Sequence, residues 1–402
     1  MTPWALEGRR VVVGVCGGIA AYKACEVISR LRQAEASVRV VVTRNATEFV
    51  GLATLRALSG SDVACEMFGE IPAIEIEHIS LAEFGEAMVV VAATANVIGK
   101  VAAGICDDLL TTTVSAAAGK VIFAPAMNWR MWENPITQRN VDSLRGLGYL
   151  FVGPESGHLA CGECGVGRLA DPAAILDAVD QALGPADSAL AGKRVLITAG
   201  PTREWLDPVR FISNPSSGKM GFALAQEALA RGARGTVVSG PTAERAPWGA
   251  EVVAVETTAE MLAAVQTCIP AADVLIAAAA PADFQAQAPA AQKIKKQAGG
   301  LTLTLAPTPD ILATVAESKG RRIHVGFAAE TQDLEANALG KLAAKHLDLI
   351  VANDVAAPGV GFGGDTNAVT IYRRDESAMH VALSGKRQIA CAVLDEVENL
   401  MD

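Results

Sequence analysis

Chemistry in the first half of this sequence rests on a few polar residues set in apolar surroundings. Four loops stand out: Glu77-His78-Ile79-Ser80-Leu81, Ala93-Thr94-Ala95-Asn96-Val97-Ile98-Gly99-Lys100, Pro125-Ala126-Met127-Asn128-Trp129-Arg130-Met131-Trp132 and Gly157-His158-Leu159-Ala160-Cys161-Gly162. Histidine suits proton handling near neutral pH, and a cysteine held against a substrate can serve as an acid. Each residue alone has a plainer reading. Single histidines mostly hydrogen-bond structurally, buried cysteines mostly pack inertly, and Met127, Met131, Trp129 and Trp132 would fill a core. Ahead of them lies Gly14-Val-Cys-Gly17-Gly18-Ile19, whose glycines let a phosphate approach backbone N–H groups at a helix start. It departs from GxGxxG, so nucleotide or flavin binding and simple tight-turn packing both stand.

The second half offers anion chemistry. Thr198-Ala-Gly-Pro-Thr-Arg-Glu204 and Asp207-Pro-Val-Arg210-Phe-Ile-Ser213-Asn214-Pro lead into Ser216-Ser217-Gly218-Lys219-Met220-Gly221, where N–H groups, hydroxyls and an amine meet at an expected helix start. The spacing of a P-loop is missing, which argues against an ordinary kinase or ATPase. Downstream follow Ala282-Asp283-Phe284, Lys293-Ile-Lys295-Lys296, Pro309-Asp310-Ile311-Leu312, Gly326-Phe327-Ala328-Ala329-Glu330-Thr331, Lys341 with Lys345, and Ala352-Asn353-Asp354. A basic cluster in an acidic chain is informative, although residues 293–296 also read as a solvated turn and Lys341 with Lys345 as one helix face.

The elements that would position these residues recur twice in the same order. Val11-Val12-Val13, the glycine turn, apolar Ala20, Ala24, Val27, Ile28 and Leu31 on one helical face, and the apolar run 38–42 make a strand–helix–strand unit. Strands at 88–92 and 121–124 continue it, and Asp171-Pro172 opens a helix reaching about Leu183. Small residues and turn formers over 184–192 read as a linker. Behind it the pattern restarts with a strand at 194–198, a helix at 218–231 and strands at 236–239, 252–255, 274–278, 324–328 and 349–352. The expectation is α/β, two Rossmann-like domains with mainly parallel sheets covered by helices: residues 1–183, a linker 184–192, and residues 193–402. In open sheets of this kind ligands sit beyond the carboxyl ends of the strands, so function belongs to the loops there.

Composition sets the outer bounds. The 402 residues suffice for two or three domains, and 51 % hydrophobic against 19 % charged residues excludes a chain disordered throughout. A net charge of -10 argues against wrapping nucleic acid or coating anionic lipid. The most apolar window, residues 87–98, holds Thr94 and Asn96 and meets Lys100, short of a bilayer span. Residues 11–15 are too short a run for a signal segment, and a cytoplasmic protein is expected. Eight scattered cysteines in a reducing compartment would be buried or reactive thiols. The one CxxC, Cys161-Gly-Glu-Cys164, has no second pair, which argues against a zinc ribbon.

Together and in order, the first-half motifs resemble the homo-oligomeric flavin-containing Cys decarboxylases, and among them the decarboxylase half of bifunctional coenzyme A biosynthesis proteins, over about residues 8–183. The resemblance implies that Gly17, Gly18, Ile19, Thr43 and the loop of Ala93, Thr94 and Asn96 hold FMN. It also implies that His78 is the catalytic histidine, that Asn128 grips the substrate and that Cys161, on a flexible clamp, is the acid. Such residues answer a chemical need. Loss of CO2 from a cysteine carboxylate leaves electrons that the side chain absorbs only once its thiol has been oxidised to a thioaldehyde, which is flavin chemistry. Protonation of carbon then falls to an acid beside the substrate. Ala92-Ala93 stands where the family usually has Ala-Pro, and Cys106 replaces an alanine in Gly-Ile-Ala-Asp-Asp. Cys164 lies outside the clamp pattern, which leaves a disulfide with Cys161 open under oxidation.

The second-half segments resemble the phosphopantothenate–cysteine ligases over about residues 191–400. This implies a CTP site made of Ser216, Ser217, Gly218, Lys219, Met220, Gly221, Asp283, Lys293, Pro309, Asp310, Ile311, Leu312, Phe327, Lys341 and Lys345. Arg210 and Asn214 would act on 4'-phosphopantothenate and its acyl-cytidylate, Lys293 would serve catalysis, and Asp283 is the candidate for Mg2+. The carboxylate attacks the α-phosphate of the nucleotide while Mg2+ and lysines offset the gathered charge, and cysteine's amine then displaces CMP. Pro281 replaces a valine of the family's Ala-Ala-Val-Ala-Asp-Phe, and Trp205-Leu206 replaces Pro-Ile. The expected function is therefore bifunctional, ligase then decarboxylase, in a homo-oligomer whose partners are small molecules, with neither nucleic acid nor membrane. A flavin decarboxylase of peptide-terminal cysteines leaves the nucleotide half unexplained. A non-catalytic relative should lack His78, Asn128 or Cys161, and all three are present.

Overall fold

A computed structural model describes residues 4–67, 76–160, 162–185, 187–296, 301–330, 332–354 and 363–401. The chain divides into two compact units at Gly184/Pro185. In the first, strands β1 (Arg10–Val15), β2 (Ser37–Val42), β3 (Val63–Ala64), β4 (Ala87–Ala93), β5 (Lys120–Pro125) and β6 (Leu150–Phe151) form one sheet in the order 3-2-1-4-5-6. Every pairing in it is parallel. Parallel neighbours need crossover connections, supplied by α1 (Ala24–Gln33), α2 (Leu52–Ser59), α3 (Glu77–Phe84), α4 (Ala95–Ala102) and α5 (Leu109–Ala116), then α6 (Trp129–Trp132) and α7 (Pro135–Gly146). Helices on both faces explain the valine-rich strands: all seven residues of β4 are buried. A hairpin, β7 (Glu155–His158) and β8 (Cys164–Arg168), precedes α8 (Pro172–Ala182). Asp171 caps α8 by accepting from the Ala173 N–H at 2.8 Å, and Trp4 Nε1 donates to Asp177 Oδ1 at 2.8 Å, tying the chain start to that helix.

The second unit contains β9 (Arg194–Ala199), the hairpin β10 (Glu204–Asp207) and β11 (Arg210–Ile212), α9 (Lys219–Ala230), β12 (Arg234–Ser239), β13 (Glu251–Ala254), α10 (Thr258–Cys268) and β14 (Val274–Ala277). It continues with the pair β15 (Phe284–Ala286) and β16 (Leu305–Pro307), then α11 (Ile311–Ala316), β17 (Ile323–Glu330), α12 (Leu334–Ala344), β18 (Leu349–Asp354), β19 (Thr366–Arg373), β20 (Ala378–Gly385) and α13 (Lys386–Asn399). Its main sheet runs 13-12-9-14-17-18-19-20. The first six strands repeat the order of the first unit and are parallel. Strands β19 and β20 extend the sheet antiparallel. The periodicity did not announce them, because β20 alternates exposed and half-buried residues and carries only a weak apolar signal.

Leu190, in the stretch that reads as a linker, is fully buried in the second core among Val195, Ile197, Phe222 and Val393. The Ser188 hydroxyl bonds Glu398. Buried Arg231 joins α9 to α13 through Glu227 (2.8 Å), Asp395 (2.7 Å) and Glu398 (2.8 Å). Among the described residues no helix is long and apolar enough to cross a membrane.

Candidate functional site

In an open parallel sheet, the crevice opens where neighbouring strands send their connections to opposite faces. In the first unit that point lies between β1 and β4, and the glycine turn and the Ala93–Asn96 segment leave it on either side. Three strand ends are laced together there: Cys16 N–H donates to Val91 O (3.3 Å) and Thr43 N–H to Val15 O (3.0 Å). Gly17 is required by close approach, since a Cβ on it would lie 2.4 Å from Asn45 Cβ. Gly18 precedes a 3-10 turn, Ile19–Lys23, which leads into α1 and leaves Ile19 61 % exposed. At the end of β4 a bulge between Val91 and Ala93 puts Ala92 at φ 55, a left-handed conformation that turns the chain abruptly into α4. Thr94 caps that helix, its hydroxyl accepting from the Val97 N–H at 3.3 Å, and Asn96 is exposed on its first turn. Ala93 is buried.

Thr43 decides whether a ligand fits. Its Oγ1 is shielded from solvent yet has no hydrogen-bond partner within the protein. A buried hydroxyl without a partner is costly, and this one stands at the carboxyl end of β2 beside the glycine turn, where a bound flavin would supply the partner. Nearby thiols and amines are otherwise engaged. Burial pushes the Cys16 thiol up to about 12, against the pull of the Thr94 N–H, and leaves it inert. Lys100 is paired with Asp107 (2.6 Å) and Asp108 (2.9 Å), and these carboxylates raise its pKa.

His78 sits in the first turn of α3, a helix where the sequence reads as a loop, and is half-buried. Asn128 is the N-cap of α6: its Oδ1 accepts from the Arg130 N–H at 2.9 Å, so part of an amide expected to grip substrate also shapes the backbone. The β7–β8 hairpin docks on this segment. Met127 N–H donates to Gly167 O at 3.0 Å, and a Cβ on Gly167 would stand 2.1 Å from Met127 O. Glu163 accepts from Trp129 Nε1 at 2.8 Å and pairs with Arg130 at 3.4 Å. The hairpin turn that holds Cys161 in sequence is thereby tied to the Asn128 segment. Cys161 itself lies outside the described residues, as does Thr331 of the second-half motifs. Cys164 Sγ lies 3.2 Å from His158 Nδ1 across the hairpin. No described contact joins His78 to Asn128 or to the hairpin.

The second unit repeats the arrangement between β9 and β14. Pro201 and Ala280 bridge just past the two strands, with Ala280 N–H on Gly200 O at 2.9 Å. Asn214 Nδ2 donates to Pro281 O at 2.9 Å, and Thr202 Oγ1 accepts from the Ala282 N–H at 2.9 Å. Proline is tolerated at position 281 because this lattice uses its carbonyl and the N–H groups of its two neighbours. Asp283 follows, exposed, its carbonyl accepting from the Thr308 N–H at 3.0 Å. Trp205 packs edge-on against Phe211 across the β10–β11 hairpin, centroids 5.2 Å apart, which accounts for the departure from Pro-Ile.

Ser216 and Ser217 lead into α9. Ser217 O accepts from Thr242 Oγ1 at 2.6 Å, and Gly218, the cap residue, has φ 81. Several side chains expected to meet nucleotide or 4'-phosphopantothenate are committed within the protein. Lys219 Nζ lies 2.6 Å from Asp365 Oδ1, and Arg210 pairs with Asp207 at 2.9 Å. Lys345 pairs with Asp310 at 3.0 Å, whose Oδ1 caps α11 by accepting from the Ala313 N–H. Burial pushes Asp310 up, but the Ala313 N–H and Lys345 outweigh it and hold the carboxyl below its usual range. Met220 and Phe327 pack partly against one core, and Ile311 and Leu312 contribute to another. Gly221 allows α9 to touch β9, since its Cβ would stand 2.5 Å from Ala199 Cβ. Lys293, Pro309 and Lys341 are exposed. Among the described residues, no group of three or more His, Cys, Asp and Glu side chains is arranged to hold a metal. Asp283 offers one carboxylate, a donor set that suits Mg2+ carried mainly by nucleotide phosphates.

Comparison with known proteins agrees with this division. The Flavoprotein family profile matches residues 2–184, and that of the DNA/pantothenate metabolism flavoprotein C-terminal domain matches residues 190–401. The chain is 48 % identical to the coenzyme A biosynthesis bifunctional protein CoaBC of Bacillus subtilis (strain 168), over 98 % of both chains. The chain belongs to this bifunctional family. It is also 42 % identical to the Escherichia coli (strain K12) protein of the same name, covering 99 % of this chain and 98 % of that one. Among solved structures, the C-terminal domain of a coenzyme A biosynthesis bifunctional protein CoaBC is 40 % identical over 54 % of this chain and 98 % of that one, TM-score 0.47. The FMN-dependent cysteine decarboxylase SpaF is 34 % identical over 44 % of this chain and 99 % of that one, TM-score 0.39.

Two buried carboxylates to which the sequence motifs assign no role hold this edge together. Glu204, 4 % exposed, accepts both the N–H and the hydroxyl of Thr258 at 2.8 Å, and Asp207 is buried beneath Arg210. Their only trace in the sequence is that both ends of the short strand β10 are acidic, on either side of the apolar pair Trp205-Leu206.

Proposed function

We propose that the chain carries out two consecutive steps of coenzyme A assembly: the second unit activates 4'-phosphopantothenate with CTP and couples it to cysteine, and the first decarboxylates the product to 4'-phosphopantetheine. The observation that carries this reading is that each unit is an open parallel sheet with its own switch point, flanked in the first by the glycine turn and the Ala93–Asn96 segment and in the second by the segments around Gly200 and Ala280, in a chain alike end to end with bifunctional relatives. Gly17, Gly18, Ile19, Thr43, Ala93, Thr94 and Asn96 are assigned to FMN. When bound, the flavin would supply the two-electron oxidation of the substrate thiol that makes loss of CO2 possible and would hand the same two electrons back as hydride to the decarboxylated product. His78 handles the thiol proton, Asn128 orients the carboxylate with the nitrogen end of its amide, and Cys161 delivers a proton to carbon.

In the second unit, Ser216, Ser217 and Gly218 at the start of α9 receive phosphate oxygens. Lys293 offsets charge at the α-phosphate, with Mg2+ at Asp283, and Asn214 orients the acyl group. Lys219 reaches the nucleotide by exchanging its carboxylate partner for a phosphate one, and Arg210 leaves Asp207 in the same way to act on 4'-phosphopantothenate and its acyl-cytidylate. Lys341 and Lys345 lie on one face of α12 and its end, beside Asp310, and are assigned to the nucleotide with Pro309, Leu312 and Phe327. The small-molecule partners and a cytoplasmic location follow from this metabolic role. A homo-oligomer is proposed as well, supported by apolar side chains left in the open: Ile19 and Tyr22 in the first unit, Phe211 and Phe284 in the second.

The test uses the purified full chain. Pyrophosphate release from CTP in the presence of 4'-phosphopantothenate, cysteine incorporation, and CO2 release from the coupled product are measured separately. All three activities are expected. A colourless protein that cannot be reconstituted with FMN would count heavily against the assignment of the first unit, and absence of pyrophosphate release against that of the second.

A further inference from the structure

Asp207 is completely buried as a side chain, yet four donors converge on it. Oδ1 accepts from the Val209 N–H at 2.7 Å and the Arg210 N–H at 2.9 Å, closing the turn between β10 and β11. Oδ2 accepts from Arg210 Nη1 at 2.9 Å and from the Ile294 N–H at 3.0 Å. Arg210 Nη1 also donates to Ile294 O at 2.9 Å. Both backbone polar groups of Ile294, the residue after Lys293, are therefore held by one ion pair from a distant hairpin.

Among the described residues, the segment so held has little else to fix it. Lys293, Lys295 and Lys296 are exposed and Ile294 is only half-buried. Upstream, the Gln287 N–H reaches Thr304 O at 3.0 Å and the Ala290 N–H reaches Leu206 O at 2.9 Å. A segment with few apolar contacts opens easily unless backbone bonds hold it, and the last such bonds before Lys293's neighbour is reached are those of Asp207 and Arg210. A carboxylate withdrawn from water is tolerated only when fully paired. Burial pushes Asp207 up, but the N–H groups of Ile294, Val209 and Arg210 outweigh it and keep the group ionised.

We propose that Asp207 is a positioning residue of the ligase reaction: acting through the backbone of Ile294, it holds Lys293 in place over the nucleotide. The proposal rests on the ligase reading above. If Arg210 turns toward substrate, Oδ2 still holds the Ile294 N–H, so the latch survives the exchange. An asparagine at this position keeps one acceptor oxygen and turns an NH2 group toward one of the two donor pairs, which opens either the hairpin turn or the latch.

Wild type, Asp207→Asn, Lys293→Gln and the double variant are compared as full chains. Readouts are pyrophosphate release from CTP with 4'-phosphopantothenate, CO2 release by the first unit, and trypsin cleavage at Lys293, Lys295 and Lys296. Asp207→Asn is expected to lower kcat for pyrophosphate release at least tenfold, to speed cleavage of the loop, and to leave CO2 release unchanged. On the Lys293→Gln background it should add less than twofold. Full additivity, or normal turnover with an uncut loop, would overturn the proposal. Ile294→Pro removes the N–H donor and leaves Asp207 and Arg210 in place, so it guards against misfolding of the hairpin. It should reproduce the loss, and wild-type turnover in it overturns the latch. If the wild type itself releases no pyrophosphate, the ligase reading falls and the catalytic role of Asp207 with it, whereas loop cleavage unchanged by Asp207→Asn rejects the latch alone.

Discussion

Thr43 and His324 are both buried polar side chains without partners, and their positions give them opposite meanings. Thr43 closes the carboxyl end of β2, where ligands bind in such sheets. Thr43→Val should therefore leave the apoprotein as stable as before or slightly more so, while weakening flavin binding about tenfold, on the order of one hydrogen bond. Thermal melting of the apoprotein and an absorbance titration with FMN read the two effects, and unchanged affinity would make Thr43 a packing residue. His324 lies instead near the amino end of β17, away from that edge, and neither ring nitrogen has a partner. Burial, then the charges of Lys319 and Arg322, push its pKa down to about 4, against the opposing pull of Asp348. Unfolded, it titrates near 6.5, so between these values the unfolded chain binds more protons and stability falls as pH falls. A loss of about 3 kcal/mol from the second unit is expected between pH 6.5 and 4. Urea unfolding across that range should show it, and His324→Leu should flatten the slope.

At the scale of elements, the β7–β8 hairpin matters most, because it is held by close backbone contact rather than by a large apolar face. Gly167→Ala would place a methyl group 2.1 Å from the Met127 carbonyl. Since a backbone atom cannot swing aside, the hairpin must lift from the Asn128 segment, at about 1–3 kcal/mol. CO2 release is expected to fall tenfold or more while pyrophosphate release is unaffected. Equal loss of both would mean general destabilisation. The sequence made the glycines and the Cys161 motif visible but gave no sign of this docking, because the contact depends on two segments about 40 residues apart meeting face to face. The same holds for α3: Glu77-His78-Ile79 reads as a loop, yet Glu77 in its first turn favours a helix start.

At the scale of the molecule, the proposed homo-oligomer would cover apolar side chains that the single chain leaves exposed. In the second unit Val209, Phe211, Phe284, Leu301, Leu303 and Leu305 are 39 to 58 % exposed, and a second copy seated on them would withdraw that apolar surface from water. Light scattering at micromolar concentration should give a mass above the monomer's 41.6 kDa, and Leu305→Glu should lower it. A monomer with both activities intact would refute the assembly. Leu190 tests the other side of the boundary: Leu190→Ala should cost about 2–5 kcal/mol in the second unit alone, seen as a shift of one of two melting transitions.

Local signals in the sequence were enough to reveal two α/β units and the carboxyl-edge loops that carry the motifs. Apolar runs, glycine turns and helix caps are short-range patterns, and parallel sheets place the loops after their strands on one edge. Tertiary structure decided which charges remain available. Arg210 is held by Asp207 and reaches Ile294, 84 residues away, and Lys219 is spent on Asp365, 146 residues away. Pairings over such distances leave no periodic trace, because they depend on how loops fold back across the sheet edge. It also decided that Asn128 is both cap and ligand candidate, that Pro281 costs the Asn214 lattice nothing, and that two antiparallel strands with α13 complete the second sheet.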